Sequence, residues 1–134
     1  KVGIARFTTT STRQTEIVKG PPYYMSPAHF SSKKVDGRSD IFSLGVMMFQ
    51  LLTGELPFYA DNPAALMNKI INVPHPDPRK INPKIVKPLA MILDKALMKD
   101  RNKRYQKAIQ MAVHLRETGK KIDAVLARKN NPNA

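Results

Sequence analysis

The longest apolar run of the chain spans residues 41–52. Three positions within it carry other side chains: Ser43, Gly45 and Gln50. A helix with this pattern is hydrophobic on nearly every face, so it must be buried in protein. A membrane span would need roughly 18 or more consecutive apolar residues. The pattern therefore predicts a central buried helix, with Ser39 as its N-cap, Asp40 at the positive end of its dipole and Gly54 as its C-cap.

Apolar residues recur at spacings of three and four in three later segments, which predicts three amphipathic helices. The first helix starts at Asn62-Pro63 and buries Leu66, Met67, Ile70 and Ile71. The second opens at Pro88 and buries Leu89, Ala90, Leu93, Ala96 and Leu97, while Lys95 and Lys99 face water. The third ends at Gly119 and buries Ala108, Ile109, Ala112, Val113 and Leu115. Four prolines in residues 73–83 predict an irregular connection.

Composition narrows the classes of protein that this chain can represent. Its 134 residues suffice for one domain, and the absence of Cys excludes a disulfide scaffold and a thiolate metal site. A reducing cytoplasm is the simplest setting, and no segment resembles a signal peptide or a transmembrane helix. The net charge of +13 attracts phosphates, nucleic acid or acidic lipid. Because Lys and Arg are scattered and there is no Trp, a solvated surface is favoured over a nucleic-acid platform.

The central run carries a family resemblance. Residues 40–46 read Asp-Ile-Phe-Ser-Leu-Gly-Val, and residues 53–58 read Thr-Gly-Glu-Leu-Pro-Phe. This pattern resembles the buried central helix in the C-terminal lobe of protein kinases. The resemblance implies a mainly α fold, the helical C-lobe subdomain without the N-lobe sheet. It divides the chain into an extended activation segment at 1–32, a helical core at 33–128 and a disordered tail at 129–134.

A second motif lies at residues 20–28, Gly-Pro-Pro-Tyr-Tyr-Met-Ser-Pro-Ala. It is similar to the end of the activation segment in Ser/Thr kinases, and it differs from the tyrosine-kinase version. The resemblance implies a substrate-docking role for Gly20, Pro21, Pro22, Tyr23 and Tyr24. Pro21 stands where the family has a Thr, and Ala28 where it has a Glu that pairs with a buried Arg.

The structural residues of the family match Asp40, Gly45 and Arg104. Arg104 falls in Leu-Met-Lys-Asp-Arg-Asn-Lys-Arg, residues 97–104, which resembles Leu-x-x-Asp-Pro-x-x-Arg. With Ala28 in place of the Glu, a buried Arg104 would lack its carboxylate, at a cost of roughly 3–5 kcal/mol. Arg104 is therefore expected to turn to solvent or to find another carboxylate.

Six hydroxyl residues lie close together near the start of the chain: Thr8, Thr9, Thr10, Ser11, Thr12 and Thr15. One interpretation is a polar loop without chemistry. The other is a phosphorylation site, because a phosphate can order such a loop by pairing with Arg or Lys. By its distance from the docking motif, Thr15 best matches the family's activating phospho-threonine, with Thr12 next.

The residues that carry phosphoryl transfer in kinases do not occur in this sequence. There is no Gly-x-Gly-x-x-Gly, His-Arg-Asp or Asp-Phe-Gly, and Lys1-Val2 stand where the magnesium-binding Asp-Phe would be. The chain alone is thus expected to be an inactive piece that binds no metal, while a parent Ser/Thr kinase of the bacterial eukaryotic-like type would use ATP and Mg. The alternative is a pseudokinase or a protein-binding module.

The resemblance also implies partners. In the parent these would be protein substrates and the kinase N-lobe. Without a catalytic loop to cover the central helix, apolar surface should remain, which predicts homo-oligomers, formed for example by exchange of residues 1–32.

Overall fold

The computed structural model describes residues 22–130. A 3-10 helix at Pro27–Phe30 precedes α1 (Gly37–Thr53), α2 (Pro63–Asn72), α3 (Pro78–Ile81) and α4 (Lys87–Ala96). A second 3-10 helix at Arg101–Lys103 leads into α5 (Ala108–Asn130). No strand occurs between residues 22 and 130, which confirms the predicted mainly α, C-lobe fold. None of the described helices is long and apolar enough to cross a lipid bilayer.

Helix α1 is the centre of the molecule, as its apolar run predicts. Its buried side chains belong to two clusters that join it to α2, α4 and α5. The larger cluster consists of Phe42, Val46, Phe49, Phe58, Leu66, Ile70, Leu93 and Leu97. The second consists of Ile41, Ile92, Ala96, Tyr105 and Met111. One side of α1 carries the uncovered apolar surface that the sequence predicts, because Leu44 and Leu51 remain 39% and 81% exposed.

The two ends of α1 differ in how well they were predicted. Gly54 is the C-cap, in the left-handed region at φ +78°, where residues other than glycine are strained. The N-cap is Asp36 and not Ser39: the Asp36 carboxylate accepts the Arg38 backbone N–H at 2.9 Å. Ser39 lies in the first turn, fully buried, and its hydroxyl has no hydrogen-bond partner within the described residues.

Helix α2 begins as predicted, with Pro63 in its first turn and the Asn62 side chain accepting the Ala65 N–H at 2.8 Å. The connection after it is less irregular than the prolines suggest, because Asp77 caps the short helix α3. Helix α4 starts at Lys87, one residue before the predicted Pro88.

Helix α5 departs most from the prediction. It continues through Gly119 to Asn130, so the tail predicted from residue 129 starts inside a helix, and residues 131–134 lie outside the described part. Its buried residues are Met111 and Thr118. Ile109 and Val113, which were predicted to be in the core, are 57% and 41% exposed. The buried face is rotated relative to the predicted one because the apolar periodicity of this segment is weak.

Candidate functional site

The segment that resembles a substrate-docking loop is described from Pro22 onward. Gly20 and Pro21 lie outside the described residues, as do the candidate phosphorylation sites Thr12 and Thr15. The Met25 N–H donates to the Pro22 carbonyl at 3.2 Å, which closes a turn around the two tyrosines between them. Both tyrosines are half-buried and pack against the larger core cluster.

We call the described part of this motif, residues 22–28, the docking loop. Two hydrogen bonds fix it to α1. The Ser43 hydroxyl donates to the backbone carbonyl of Tyr24. The Tyr24 hydroxyl donates to Gln50 Oε1 at 2.5 Å. Residues seven apart lie on one face of a helix, two turns from each other. Ser43 and Gln50, two of the three interruptions of the apolar run, therefore hold the loop on the buried helix.

The exposed side of the docking loop is aromatic with a cation beside it. The Tyr23 ring lies 5.9 Å from the Tyr59 ring, which is tilted by 30° and belongs to a residue that is 53% exposed. Lys69 of α2 donates through Nζ to the Tyr59 carbonyl at 2.6 Å. Together these three residues form a partly apolar, positively charged surface next to the loop.

The end of the loop is tied to the first 3-10 helix by Ser26 and His29. The Ser26 backbone N–H donates to His29 Nδ1 at 3.0 Å, and the Ser26 hydroxyl lies at the same distance. Burial lowers the pKa of His29, so the ring is neutral and Nδ1 can accept at neutral pH. The buried Ala28 follows in this short helix.

Arg104 does not turn to solvent, so that prediction is wrong, and its hydrogen-bond partners among residues 22–130 are carbonyls rather than a carboxylate. The guanidinium is buried, at 3% exposure. It donates to the carbonyls of Met98 at 2.7 Å, Arg38 at 2.7 Å and Lys99 at 3.1 Å. Burial lowers its pKa to about 10, so it stays charged at neutral pH. Three backbone dipoles thus stabilise the charge in place of the family's carboxylate.

Lys99 is half-buried, contrary to the prediction that it faces water. Its Nζ donates to the carbonyls of Lys69 at 2.9 Å and Ile70 at 2.6 Å, near the C-terminal end of α2. It also lies 3.9 Å from the centre of the Phe58 ring. Burial, together with repulsion from Arg104, lowers its pKa to about 8. Sequence spacing gave no sign of this role, because Lys99 follows α4 rather than belonging to its face.

The other two structural positions, Asp40 and Gly45, lie on α1. Asp40 is in the first turn and exposed. A Cβ on Gly45 would lie 3.0 Å from Ala96 Cβ and 3.0 Å from Leu97 Cδ2. Glycine therefore allows the close approach of α1 and α4.

Residues 22–130 contain no group of three or more His, Cys, Asp or Glu that could hold a metal ion. His75 instead pairs with Asp94, with 3.0 Å between Nε2 and Oδ1. The described residues do not fit a magnesium–nucleotide site. Tyr23, Tyr59 and Lys69 instead form an aromatic, positively charged surface that can contact a polypeptide.

Comparison with known proteins identifies the family. The protein kinase domain family matches residues 2–115. Serine/threonine-protein kinase PknB of Mycolicibacterium smegmatis is 36% identical over 116 residues, which cover 84% of this chain and 19% of PknB. Serine/threonine-protein kinase PksC of Streptomyces coelicolor is 38% identical over 97 residues, which cover 72% of this chain and 17% of PksC. The chain thus spans less than a fifth of the length of these relatives.

A solved structure supports the same fold. The twitchin kinase region from C. elegans matches with a TM-score of 0.64 at 23% identity, over 69% of this chain and 16% of that one. The family match extends over most of the sequence, and the buried α1 with its surrounding helices has the C-lobe architecture. The chain therefore belongs to the protein kinase family, and it corresponds to the C-terminal lobe of a eukaryotic-like Ser/Thr kinase of the bacterial type.

Proposed function

We propose that this chain forms the substrate-docking half of a protein kinase, and that the longer protein transfers the γ-phosphate of ATP to Ser or Thr side chains of proteins. The observation that carries the proposal is the attachment of the Tyr23–Tyr24 loop to α1 through Ser43 and Gln50. These two polar side chains would be unfavourable in a buried helix if they had no partner. The names of the relatives, both serine/threonine-protein kinases, support the same substrate class.

In this proposal the described residues position a substrate and take no direct part in the chemistry. Tyr23, Tyr59 and Lys69 contact the substrate polypeptide, and α1 keeps the loop from moving away from it. ATP and magnesium, bound by the rest of the longer protein, supply the phosphoryl group and neutralise its charge. We expect the 134-residue chain by itself to bind neither and to be inactive.

The experiment compares variants of the longer protein in a phosphotransfer assay with a Ser/Thr protein substrate. Ser43→Ala removes the hydrogen bond to Tyr24, and we expect kcat/KM for the protein substrate to fall roughly tenfold, because a misplaced docking loop weakens substrate positioning. The KM for ATP should stay unchanged. Ser32→Ala, at an exposed serine, is the matched control and should leave both constants unchanged. A Ser43→Ala variant whose protein-substrate kinetics match those of the control would contradict the docking role.

The alternative function is a pseudokinase or a protein-binding module. It is supported by Lys1, Pro21 and Ala28, which depart from the active pattern, and by the carbonyls that are the hydrogen-bond partners of Arg104 among residues 22–130. The reading frame upstream of this segment separates the two proposals. An encoded His-Arg-Asp and Asp-Phe-Gly, with phosphate transfer by the longer protein, would support the enzyme. Their absence, with intact protein binding, would support the module.

Regulation and setting follow from the same proposal. Phosphorylation of Thr15, or of Thr12, would activate the longer protein, which we place in the cytoplasm. Its partners would be protein substrates and its own N-lobe. Nucleic acid is not among the proposed partners, and retention of the chain on DNA that weakens strongly with salt would argue otherwise.

A further inference from the structure

The second half of α5 extends beyond the part of the chain that matches the protein kinase domain, residues 2–115. The match ends at residue 115, whereas the helix runs to Asn130. With about 1.5 Å per residue, the remaining 15 residues are about 22 Å long. Thr118 is the last buried residue of the helix, at 6% exposure. We call residues 119–130 the overhang of α5.

The overhang continues the apolar face that packs against the domain. Met111, Leu115 and Thr118 recur at spacings of four and three and turn towards the core. The same spacing continues with Ile122 and Val125, and Leu126 adjoins them. Val125 and Leu126 are each 50% exposed. The apolar stripe thus extends past the point at which the described helices cover it.

Basic side chains lie close to this apolar stripe. Residues 116–130 include five basic and two acidic side chains, a net charge of +3. The basic residues are Arg116, Lys120, Lys121, Arg128 and Lys129. At about 100° per residue, Lys121 and Arg128 lie beside the apolar stripe, and Lys129 lies within it at the helix end. The charge belongs to a chain whose total is +13.

We propose that the overhang lies on an anionic membrane surface, with its three aliphatic side chains among the outer ends of the acyl chains and its Lys and Arg side chains at the headgroups. A basic helix with a narrow apolar face has the chemistry that such a surface attracts. A second copy of the overhang is a poorer occupant, since it carries the same positive charge. A stable protein interface would also need about 800 Å² from each partner, far more than three partly exposed aliphatic residues can supply.

The test is co-sedimentation of the 134-residue chain with lipid vesicles at an ionic strength of roughly 0.15 M. We expect the chain to bind vesicles that contain phosphatidylglycerol and not vesicles of phosphatidylcholine alone. In a double variant, Val125→Asp with Leu126→Asp, the partition coefficient should fall at least about tenfold, because two apolar side chains leave the acyl region and two negative charges approach the headgroups.

The matched control is Ile109→Asp with Val113→Asp. It changes the charge by the same amount, at two exposed aliphatic residues on the same helix but away from the stripe. We expect this control to reduce binding much less, and circular dichroism should show that both variants keep their helices. Equal losses in the two variants would mean that only the overall charge binds the lipid, which would overturn the proposal.

Two other results would also overturn it. One is a wild-type chain that does not bind the phosphatidylglycerol vesicles. The other is self-association without lipid that only the overhang variant abolishes, which would assign the stripe to a second copy of the chain.

Discussion

Lys99 is half-buried and Arg104 is buried, and both cations donate hydrogen bonds to backbone carbonyls. Burial is the main cause that lowers the pKa of both side chains, and repulsion from Arg104 lowers the pKa of Lys99 further. Carbonyl oxygens and the faces of Phe58 and Phe42 offset part of the cost, and the more distant carboxylates of Asp36 and Asp100 favour the charged form of Arg104. Such an arrangement depends on where the backbone turns after α4, so a sequence pattern that records only side-chain types does not predict it.

The lowered pKa of Lys99 makes stability depend on pH in a defined direction. Below about pH 8 the ammonium is protonated in both the folded and the unfolded state, and the full burial cost is present. Between about pH 8 and the ordinary value of 10.5, the unfolded state binds more protons than the folded state. The free energy of unfolding should therefore rise with pH across this window.

Urea unfolding of the chain at a series of pH values measures this effect. Lys99→Met removes the titrating group. In this variant the free energy of unfolding should therefore rise less with pH than it does in the wild type. Lys84→Met, at an exposed lysine, should leave the rise unchanged. An identical rise in wild type and Lys99→Met would show that burial does not disfavour the charged form of this side chain.

At the scale of the helices, two glycines in helical segments differ in what surrounds them. A Cβ on Gly45 of α1 would press on Ala96 and Leu97 at 3.0 Å, whereas one on Gly119 of α5 would meet nothing within 4 Å. Alanine favours a helix by up to about 1 kcal/mol over glycine, but overpacking costs about 1–3 kcal/mol. We therefore expect Gly45→Ala to lower the free energy of unfolding by about 1–2 kcal/mol, and Gly119→Ala to raise it by up to about 1 kcal/mol.

Urea midpoints of the two variants, with an unchanged slope of unfolding free energy against urea, give the comparison directly. If Gly45→Ala were as stabilising as Gly119→Ala, α1 and α4 would have to be able to move apart at little cost. That outcome would remove the structural reason for glycine at position 45.

Helices could be predicted where neighbouring residues specify them. A helix end could not be predicted where residues distant in the sequence decide which residue caps the helix. Pro63 after Asn62 and the apolar run of α1 each specify a helix on their own. Asp36 became the N-cap in place of Ser39 partly because its carboxylate is paired with Arg38 at 2.8 Å and with Arg101, 65 residues away, at 3.3 Å. Gly119 was predicted as a helix end, yet it lacks the positive φ that makes Gly54 a cap.

For the whole molecule, the fixed internal spacing of the α1 motif was sufficient to predict the fold class and the family. The docking loop was predicted from its sequence motif. Its attachment to α1 through Ser43 and Gln50 was not predicted. Ser43 and Gln50 looked like exceptions in an apolar helix, and the loop residue Tyr24 that explains them lies far earlier in the chain. The two hydrogen bonds join residues that are 19 and 26 positions apart, so no periodic pattern in the sequence indicates them.

The open face of α1 predicts how the isolated chain behaves in solution. Leu44 and Leu51, two turns apart, are 39% and 81% exposed on a helix that is otherwise a core element. An apolar face of this kind lowers its free energy by packing against another surface. In the longer protein that surface would be the preceding part of the kinase. For the isolated chain we expect association with a second copy, strengthened by salt because both copies are positively charged.

Light scattering over a range of concentrations tests this association. Leu44→Glu with Leu51→Glu should make the chain monomeric, because both charges would have to be desolvated in the interface. Met91→Glu, at a residue of α4 that is 60% exposed, is the control and should still associate. A compact wild-type monomer at high concentration would contradict the predicted oligomer. An oligomer that survives the double substitution would have to form by another route, such as exchange of residues 1–32, because the α1 face would then carry two charges that a second copy cannot cover at low cost.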